Sequence, residues 1–326
     1  MRVGIFLSAQ FEPDEPVSCG VDAMLRQAQT ADQLGFDTAF LGHHYLAHSA
    51  FLQPLPLAAY LARATRSIRL GFGVLLAPLY NPLALAEELA TLDVLSGGRL
   101  TVGLGAGYRR KECEAFGVEW SDRLRRLREY VPILRALWSG QTVTAEGSWG
   151  RLTQARLALR PAQAGGPPLW VGAFAEPAIR RAARLDTPWL IAPDLDDAGL
   201  SAALELYRSV LRECGHSLDR AYPLAREACV ADTHAAAVAQ IRPHLRRQYS
   251  AYKSWDSVQR IDIDAYIENC CLVGTAEEVA DRIAALRADH GITDLSLRVQ
   301  FMGAPHEQAL EQIERFGRDV IPKVSM

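Results

Sequence analysis

The sequence predicts a (β/α)8 barrel formed as one domain by residues 1–326, and three observations carry this prediction. The chain has 326 residues, enough for one large α/β barrel with a full core. Eight short apolar runs alternate with helical patterns, as parallel strands and their connecting helices do. No Gly-x-Gly-x-x-Gly pattern follows the first apolar run, which disfavours a dinucleotide-binding sheet.

The predicted strands are mostly continuous apolar runs, as expected for strands buried on both faces of a parallel sheet. The second run ends in two adjacent histidines, His43 and His44. The third contains Gly71 and Gly73, and glycine weakens a strand unless the backbone bulges or approaches a ligand closely. The strands are expected at residues 3–8, 38–41, 68–76, 100–104, 169–173, 189–192, 225–230 and 295–299.

Helical patterns fill most of the intervals between these runs. Pro56 and Pro82 stand where two helices begin, a position that tolerates proline well. Helices are expected at residues 21–34, 56–65, 82–95, 122–138, 200–213 and 306–320, with two more beginning at residue 177 and at residues 273–275.

Two stretches depart from the alternation of strands and helices. Residues 141–159 contain glycines and alternating side chains, which predict a small hairpin. Residues 231–269 are too long for a simple connection, and we expect a lid or binding loop there. Its aromatic residues Tyr249, Tyr252 and Trp255 either face the substrate or form the core of the insertion.

Composition and charge favour an ordinary soluble protein of the cytoplasm. The net charge of -3 gives no reason to expect a nucleic-acid partner, and the arginines at 123–128 alternate with Leu and Glu as on a solvated helix face. The cysteines form no Cys-x-x-Cys pair, which indicates reduced thiols. No apolar run is long enough to span a bilayer, and the N-terminus does not have the pattern of a signal peptide.

The histidine pair is the first candidate for catalysis. The C-terminal ends of parallel strands are where barrel enzymes build their sites, and imidazole transfers protons near neutral pH. The competing interpretation is a pair that only bonds to backbone at the barrel rim. His48 lies close by in sequence, but the three histidines lack a further ligand at a suitable spacing, so no metal site is expected. Glu112 and Glu114 are expected on the solvated start of a helix.

Five blocks of sequence resemble the bacterial luciferase-like flavin-dependent oxidoreductases, the luciferase-like monooxygenases. They occur in order and span nearly the whole chain: GFDTAFLGHHY, the stretch from IRLGFGVLL to LTVGLGAGY, EAFGVEWSDR, PPLWVGAF, and GTAEEVADRI followed by LRVQFMGAPHEQALEQI. The resemblance implies a (β/α)8 barrel that holds reduced FMN, or a deazaflavin in other branches, at the C-terminal end of the strands.

The resemblance also implies catalytic and ring-binding positions. The family has Glu-His-His where this chain has Gly42, His43 and His44, and the first histidine resembles the catalytic one of the luciferase branch. Gly73 and Val74 match a bulged strand, often with a non-prolyl cis peptide, that supports the flavin ring.

The implied phosphate site departs from the family at one position. Ala106 replaces the arginine that holds the flavin phosphate in the luciferase branch, and Arg109 and Arg123 are candidate substitutes. The remaining part of the implied site is the loop after the fifth strand, where backbone N–H groups and a helix N-terminus bind phosphate. In this chain the loop comprises Gly172, Ala173 and Phe174.

The first functional hypothesis is a monooxygenase that uses reduced FMN and oxygen on a small organic substrate, with a separate flavin reductase as partner. A second is a dehydrogenase or reductase that transfers hydride with the 8-hydroxy-5-deazaflavin coenzyme. A third is a non-catalytic flavin-binding protein or partner subunit. A homodimer is expected by analogy with such barrels, and the apolar spacing of Leu83, Ala86, Ala90 and Val94 is compatible with pairing, although core packing explains it equally.

Overall fold

The computed structural model of the protein describes residues 1–11, 16–253 and 261–324. In this part of the chain eight parallel strands close into a barrel, as the sequence predicts. The strands of the chain are β1 (Arg2–Leu7), β2 (Thr38–Leu41), β3 (Arg69–Leu76), β4 (Leu100–Gly105), β5 (Val143–Gly147), β6 (Gly150–Ala155), β7 (Leu169–Ala173), β8 (Trp189–Ile191), β9 (Pro223–Val230), β10 (Leu272–Gly274) and β11 (Asp294–Arg298).

The barrel order is β1, β2, β3, β4, β7, β8, β9 and β11. Closure comes from the β1 pairing with β11, in which Arg2 lies opposite Asp294, and from the short β8 pairing with β9. Strands β5 and β6 form the antiparallel hairpin predicted between residues 141 and 159. Because all eight barrel strands are parallel, their C-terminal ends meet at one end of the barrel, which we call the barrel mouth.

The helices pack around the strands and bury the main core between the two layers. Their bounds are α1 (Val17–Gln33), α2 (Pro54–Ala64), α3 (Pro82–Leu95), α4 (Arg110–Ala115), α5 (Arg123–Trp138), α6 (Glu176–Arg184), α7 (Asp197–Glu213), α8 (His234–Lys253), α9 (Ile263–Cys270), α10 (Ala276–His290), α11 (His306–Arg315) and α12 (Ile321–Val324), with a 3-10 turn at Ala77–Leu79 and a π turn at Phe316–Val320.

The sequence patterns missed β10, α4 and α9. The predicted helix start at 273–275 is wrong, because residues 272–274 form β10 and pair with β9 before α10 begins. Thr275 caps α10, and its hydroxyl accepts from the Glu278 backbone N–H. The short helices α4 and α9 were also missed, since six or eight residues are too few to show a clear helical period.

The stretch expected to form a lid folds mainly into α8 and α9. Side chains of these helices build a second hydrophobic cluster with β9 and the segment after β11, which includes Ile241, Tyr249, Tyr266 and Phe301. The cluster anchors both helices beside the C-terminal half of β9. No helix in the described residues combines the length and the apolar character needed to cross a membrane.

A third cluster fills the barrel interior. It consists of Phe40, Trp170 and Leu190, with Phe6 and Val74 packed against it. Gly71 lies beside this cluster, where an added Cβ would approach Phe40 Cδ1 to 2.4 Å. Gly73 is different, because its nearest neighbour would be Leu190 Cδ2 at 3.7 Å. Core packing therefore explains the glycine at 71 but not the glycine at 73.

Gly71→Ala should lower the free energy of unfolding by about 1 to 3 kcal/mol, because its Cβ overlaps the Phe40 ring. Gly73→Ala is the matched control and should cost less, since its Cβ meets only ordinary contacts. Denaturant unfolding of both variants measures the difference. Adding Phe40→Leu should recover part of the loss only in the Gly71 variant, and equal losses for both glycines would contradict this explanation.

Candidate active site

His43 is a buried and neutral histidine at the barrel mouth. Only 3% of it is exposed. The Leu76 backbone N–H donates to Nδ1 at 3.1 Å, so Nε2 carries the proton and donates to Gln53 Oε1, also at 3.1 Å. Burial, followed by the charge of His44, lowers the pKa of His43 to about 4. Its contacts therefore connect the tip of β2 to the end of β3.

His44 is more accessible and contacts an acid and a hydroxyl. Its Nδ1 lies 3.1 Å from Glu112 Oε1, and its Nε2 lies 3.2 Å from the Tyr108 hydroxyl. The side chain is 18% exposed, compared with 2% for that of Glu112. Because a carboxylate only accepts, Nδ1 carries a proton and Nε2 is the nitrogen that can exchange one.

Glu112 does not lie where the sequence predicted. It was expected on a solvated helix start, but only 1% of it is exposed, whereas Glu114 is exposed as expected. Oε1 also accepts from the Tyr45 backbone N–H at 2.9 Å and from Arg109 Nη1 at 3.0 Å. Burial alone would raise the pKa of Glu112, but the contacts with His44, Tyr45 and Arg109 outweigh it and hold that pKa below its usual value.

Glu112 thus brings a carboxylate to the histidine pair, although Gly42 occupies the position of the family's Glu. At position 42 an added Cβ would lie 3.0 Å from Phe6 Cζ, so the phenylalanine ring leaves little space for a side chain there. Glu112 reaches His44 from α4 instead. Its second oxygen, Oε2, has no hydrogen-bond partner within the described residues.

Arg109 lies within the same network. It is 6% exposed, and besides Glu112 it donates to the backbone oxygens of Tyr45 at 2.6 Å and Leu46 at 3.0 Å. These contacts hold the backbone after the histidine pair. They give no support to the expectation that Arg109 binds phosphate, which stays a prediction.

The third barrel strand is bulged at Gly73 and Val74. Its pairing with β4 shifts register between Phe72 and Leu75, and the Gly73–Val74 peptide is cis. The Val74 side chain occupies space left by glycines on the two following strands. A Cβ added at Gly105 would lie 2.4 Å from Val74 Cγ2, and one added at Gly172 would lie 2.8 Å from Val74 Cγ1. The neighbouring strand ends are therefore packed closely around Val74.

The strand ends at β4 and β7 carry the other residues expected at the cofactor site. Ala106, half-buried, follows β4 directly. Ala173 ends β7 and is 3% exposed, whereas Phe174 is 67% exposed. At the start of α6, Ala175 occupies the N-cap, and no side chain in the described structure caps this end of the helix.

Three arginines lie close enough to influence one another electrostatically at α5 and α6. Burial first, and then the charges of Arg128 and Arg123, lower the pKa of Arg181. Its buried Nε has no hydrogen-bond partner among the residues that the structure describes. Arg123 stacks on the Trp120 ring, 3.4 Å from its centroid, and donates to the Trp120 backbone oxygen at 2.7 Å.

Sequence reasoning missed both Arg128 and Arg181, because arginines on amphipathic helices resemble an ordinary solvated face. That interpretation is wrong for Arg126, which is 8% exposed and donates to the backbone oxygens of Pro78 and Ser148.

The aromatic residues of the expected lid are only partly described. Tyr249 is 9% exposed, and its hydroxyl lies 3.0 Å from that of Tyr266. It therefore belongs to the core of this region. The Tyr252 side chain and the whole of Trp255 lie outside the described residues.

Comparison with known proteins identifies the family. The family model described as luciferase-like monooxygenase matches residues 1–294. The chain belongs to this family. This match confirms the resemblance seen in the sequence, together with the barrel fold and the luciferase-like oxidoreductase class.

Individual relatives within the luciferase-like family differ in chemistry. The chain is 35% identical over 176 residues to 4-hydroxyprotoasukamycin monooxygenase of Streptomyces nodosus subsp. asukaensis, covering 53% of this chain and only 47% of that relative. It is 26% identical over 332 residues to the FMNH(2)-dependent dimethylsulfone monooxygenase of Pseudomonas fluorescens, covering 94% and 87%. It is 32% identical over 217 residues to the F420-dependent glucose-6-phosphate dehydrogenase of Microbacterium testaceum, covering 60% and 61%.

A solved structure matches along the whole chain. Monooxygenase RslO1 from Streptomyces bottropensis superposes with a TM-score of 0.89 at 26% identity, and the match covers 99% of each chain.

The low pKa of His43 should make stability depend on pH. The His43 ring takes up a proton near pH 6.5 in the unfolded chain but only near pH 4 in the folded chain. The contribution of His43 to the free energy of unfolding is therefore complete above pH 6.5 and is lost as the pH falls toward 4. The free energy of unfolding should drop by about 2 kcal/mol between pH 7 and pH 5 from this residue alone.

Urea unfolding at the two pH values measures this drop. It should shrink in His43→Asn and persist in the control His234→Asn, whose side chain is 45% exposed. An undiminished drop in the His43 variant would show that the low pKa of His43 is not its cause.

Proposed function

We propose that this enzyme is a monooxygenase that uses reduced FMN, supplied by a separate flavin reductase, and oxygen to oxygenate a small organic substrate. The observation that carries the proposal is the whole-chain likeness to monooxygenase RslO1, with a TM-score of 0.89. The FMNH(2)-dependent relative, which aligns over 94% of this chain, supports the same cofactor.

The residues at the barrel mouth fit FMN. The bulge at Gly73 and Val74, closely packed against Gly105 and Gly172, would support the flavin ring. The phosphate would lie at the start of α6, where the helix N-terminus attracts anions. Arg181, whose buried Nε is without a partner in the described structure, would supply positive charge together with Arg123 and Arg128. Bound reduced FMN would supply the electrons that activate oxygen.

His44 would move the proton that this chemistry requires. Glu112 accepts from Nδ1, which directs Nε2 toward Tyr108 and the more exposed side of the site. His43 would act as a positioning residue, because both of its ring nitrogens are already used and its pKa of about 4 keeps it neutral. The catalytic role expected for the first histidine is thus proposed for the second.

Hydride transfer with a deazaflavin remains the second candidate. The F420-dependent glucose-6-phosphate dehydrogenase supports it, as does Ala106 at the position of the luciferase-branch phosphate arginine. Both cofactors could use the same barrel, because fold does not decide chemistry.

The proposed enzyme is a cytoplasmic homodimer in which the described part of residues 231–269, helices α8 and α9, covers the substrate. On α3, Ala86 and Ala90 are fully buried and serve the core, whereas Val94 is 44% exposed. Val94 would offer apolar surface to a second copy of the chain together with two other exposed residues. These are Leu95, which is 60% exposed, and Tyr60 of α2, which is 48% exposed.

Anaerobic titration of the full chain with reduced FMN and with reduced F420 tests the cofactor and the reaction. We expect FMN to bind at least about tenfold more tightly, and admitted oxygen to be consumed faster with the protein than with free FMN. Preference for F420, with no reaction with oxygen, would instead establish hydride transfer.

The phosphate site has a separate test. Arg181→Met should weaken FMN binding by about tenfold and leave riboflavin binding unchanged, because riboflavin has no phosphate to contact a guanidinium. Arg180→Met is the control, because Arg180 is the neighbour of Arg181 in sequence but its side chain pairs with Glu176 at the surface. Equal losses for FMN and riboflavin, or equal effects of the two variants, would place the phosphate elsewhere.

A further inference from the structure

Gln248, near the end of α8, carries a buried amide that the proposed mechanism does not use. The residue is 3% exposed, and its Nε2 is buried without a hydrogen-bond partner among the residues that the structure describes. An amide N–H that leaves water without gaining a new acceptor destabilises the fold, so almost all such groups in proteins are paired. This donor therefore calls for a partner from outside the chain.

Gln248 belongs to the face of α8 that packs onto the barrel. Leu245 and Tyr249 are 0% and 9% exposed, and both belong to the second hydrophobic cluster. The Tyr249 hydroxyl lies 3.4 Å from Oε1 of Glu227, which is paired in register with the last residue of β11. Because residues three apart share one side of a helix, Gln248 faces the barrel with Leu245, near the mouth.

The helix α8 also packs against the segment after β11, beside a cavity. His244, one turn before Gln248, stacks on Phe301 with ring centroids 6.5 Å apart and planes inclined by 11°. Arg247 packs so closely on Gly303 that a Cβ added there would lie 2.4 Å from its Nη1. Phe301 and Gly303 line a cavity that also borders the segments after β1 and β2. This end of α8 thus lies close to space in which a small molecule can bind.

The barrel order places α8 across the mouth from the proposed flavin site. Strand β3 carries the bulge at Gly73 and Val74, and α8 packs beside β9. These two strands are four apart in either direction around the barrel. A substrate that lies over the flavin ring would therefore turn its far side toward α8.

We propose that Gln248 is a specificity-determining residue whose Nε2 donates a hydrogen bond to an uncharged acceptor oxygen of the substrate, such as a carbonyl oxygen; this inference rests on the proposed function. A carbonyl oxygen accepts from an amide N–H in the same way as the backbone does. An ionised carboxylate is a poorer match, because its desolvation costs more than one neutral donor replaces. The bond would also compensate the buried donor when the site is filled.

Gln248→Met tests whether the amide serves a ligand rather than the fold. Methionine has a similar shape and adapts to its surroundings, but it brings no N–H group. Because the variant removes a donor that lacks a partner in the described structure, the melting temperature of the ligand-free full chain should rise by about 2 °C.

Gln240→Met is the matched control for stability, since Gln240 is half-buried on the same helix, and it should leave the melting temperature unchanged. A fall in the melting temperature of the Gln248 variant would show that the amide supports the fold and would overturn the proposal.

Calorimetric titration of the full chain with matched probes tests the acceptor. The pairs are acetophenone and 2-phenylpropene, benzaldehyde and styrene, and cyclohexanone and methylenecyclohexane, in which a CH2 group replaces the carbonyl oxygen. In at least one pair Gln248→Met should lower the ratio of carbonyl to hydrocarbon affinity about fivefold, the effect of one neutral hydrogen bond. Gln240→Met should keep the wild-type ratio.

The proposal is wrong if Gln248→Met leaves the ratio unchanged in every pair. It is also wrong if this variant weakens reduced FMN binding as much as carbonyl binding, because the amide would then contact the cofactor. Failure of the wild-type chain to bind reduced FMN, with the ratio still falling in Gln248→Met, would overturn the proposed function and leave the carbonyl contact.

Discussion

The buried carboxylate of Glu112 is the contact on which the geometry of the site depends. A buried charge is costly unless hydrogen bonds replace its lost water. Here Oε1 meets His44 Nδ1, the Tyr45 N–H and Arg109 Nη1, so one oxygen joins α4 to the chain that follows β2. Arg109 in turn holds the backbone oxygens of Tyr45 and Leu46. The direction in which His44 presents its second nitrogen follows from this arrangement.

The two adjacent histidines have different environments because successive residues after a strand point in different directions. His43 points into the fold and is bonded by Leu76 and Gln53, while His44 points toward Glu112 and Tyr108. One fixes the backbone between β2 and β3, and the other keeps a nitrogen near the accessible side. The rigid neighbour thus supports the residue that is proposed to react, as precise sites generally require.

The sequence predicted those features that depend on local pattern. The eight barrel strands follow from apolar runs and their alternation with helices, and the histidine pair follows from its position at a strand end. Glu112 and Arg181 could not be recognised in the same way. Glu112 and His44 are 68 positions apart. An isolated acid or arginine on a helix resembles a surface residue until the fold supplies its partner.

The tautomers of the two histidines report directly whether Glu112 orients His44. Long-range 15N–1H correlation spectra of the histidine-labelled full chain, recorded above pH 7 and assigned with His43→Asn and His44→Asn, report which ring nitrogen carries the proton. We expect His43 protonated on Nε2, because Leu76 donates to its Nδ1, and His44 protonated on Nδ1, because Glu112 accepts from it. A neutral His44 protonated only on Nε2 would show that Glu112 does not accept from Nδ1 and does not orient His44.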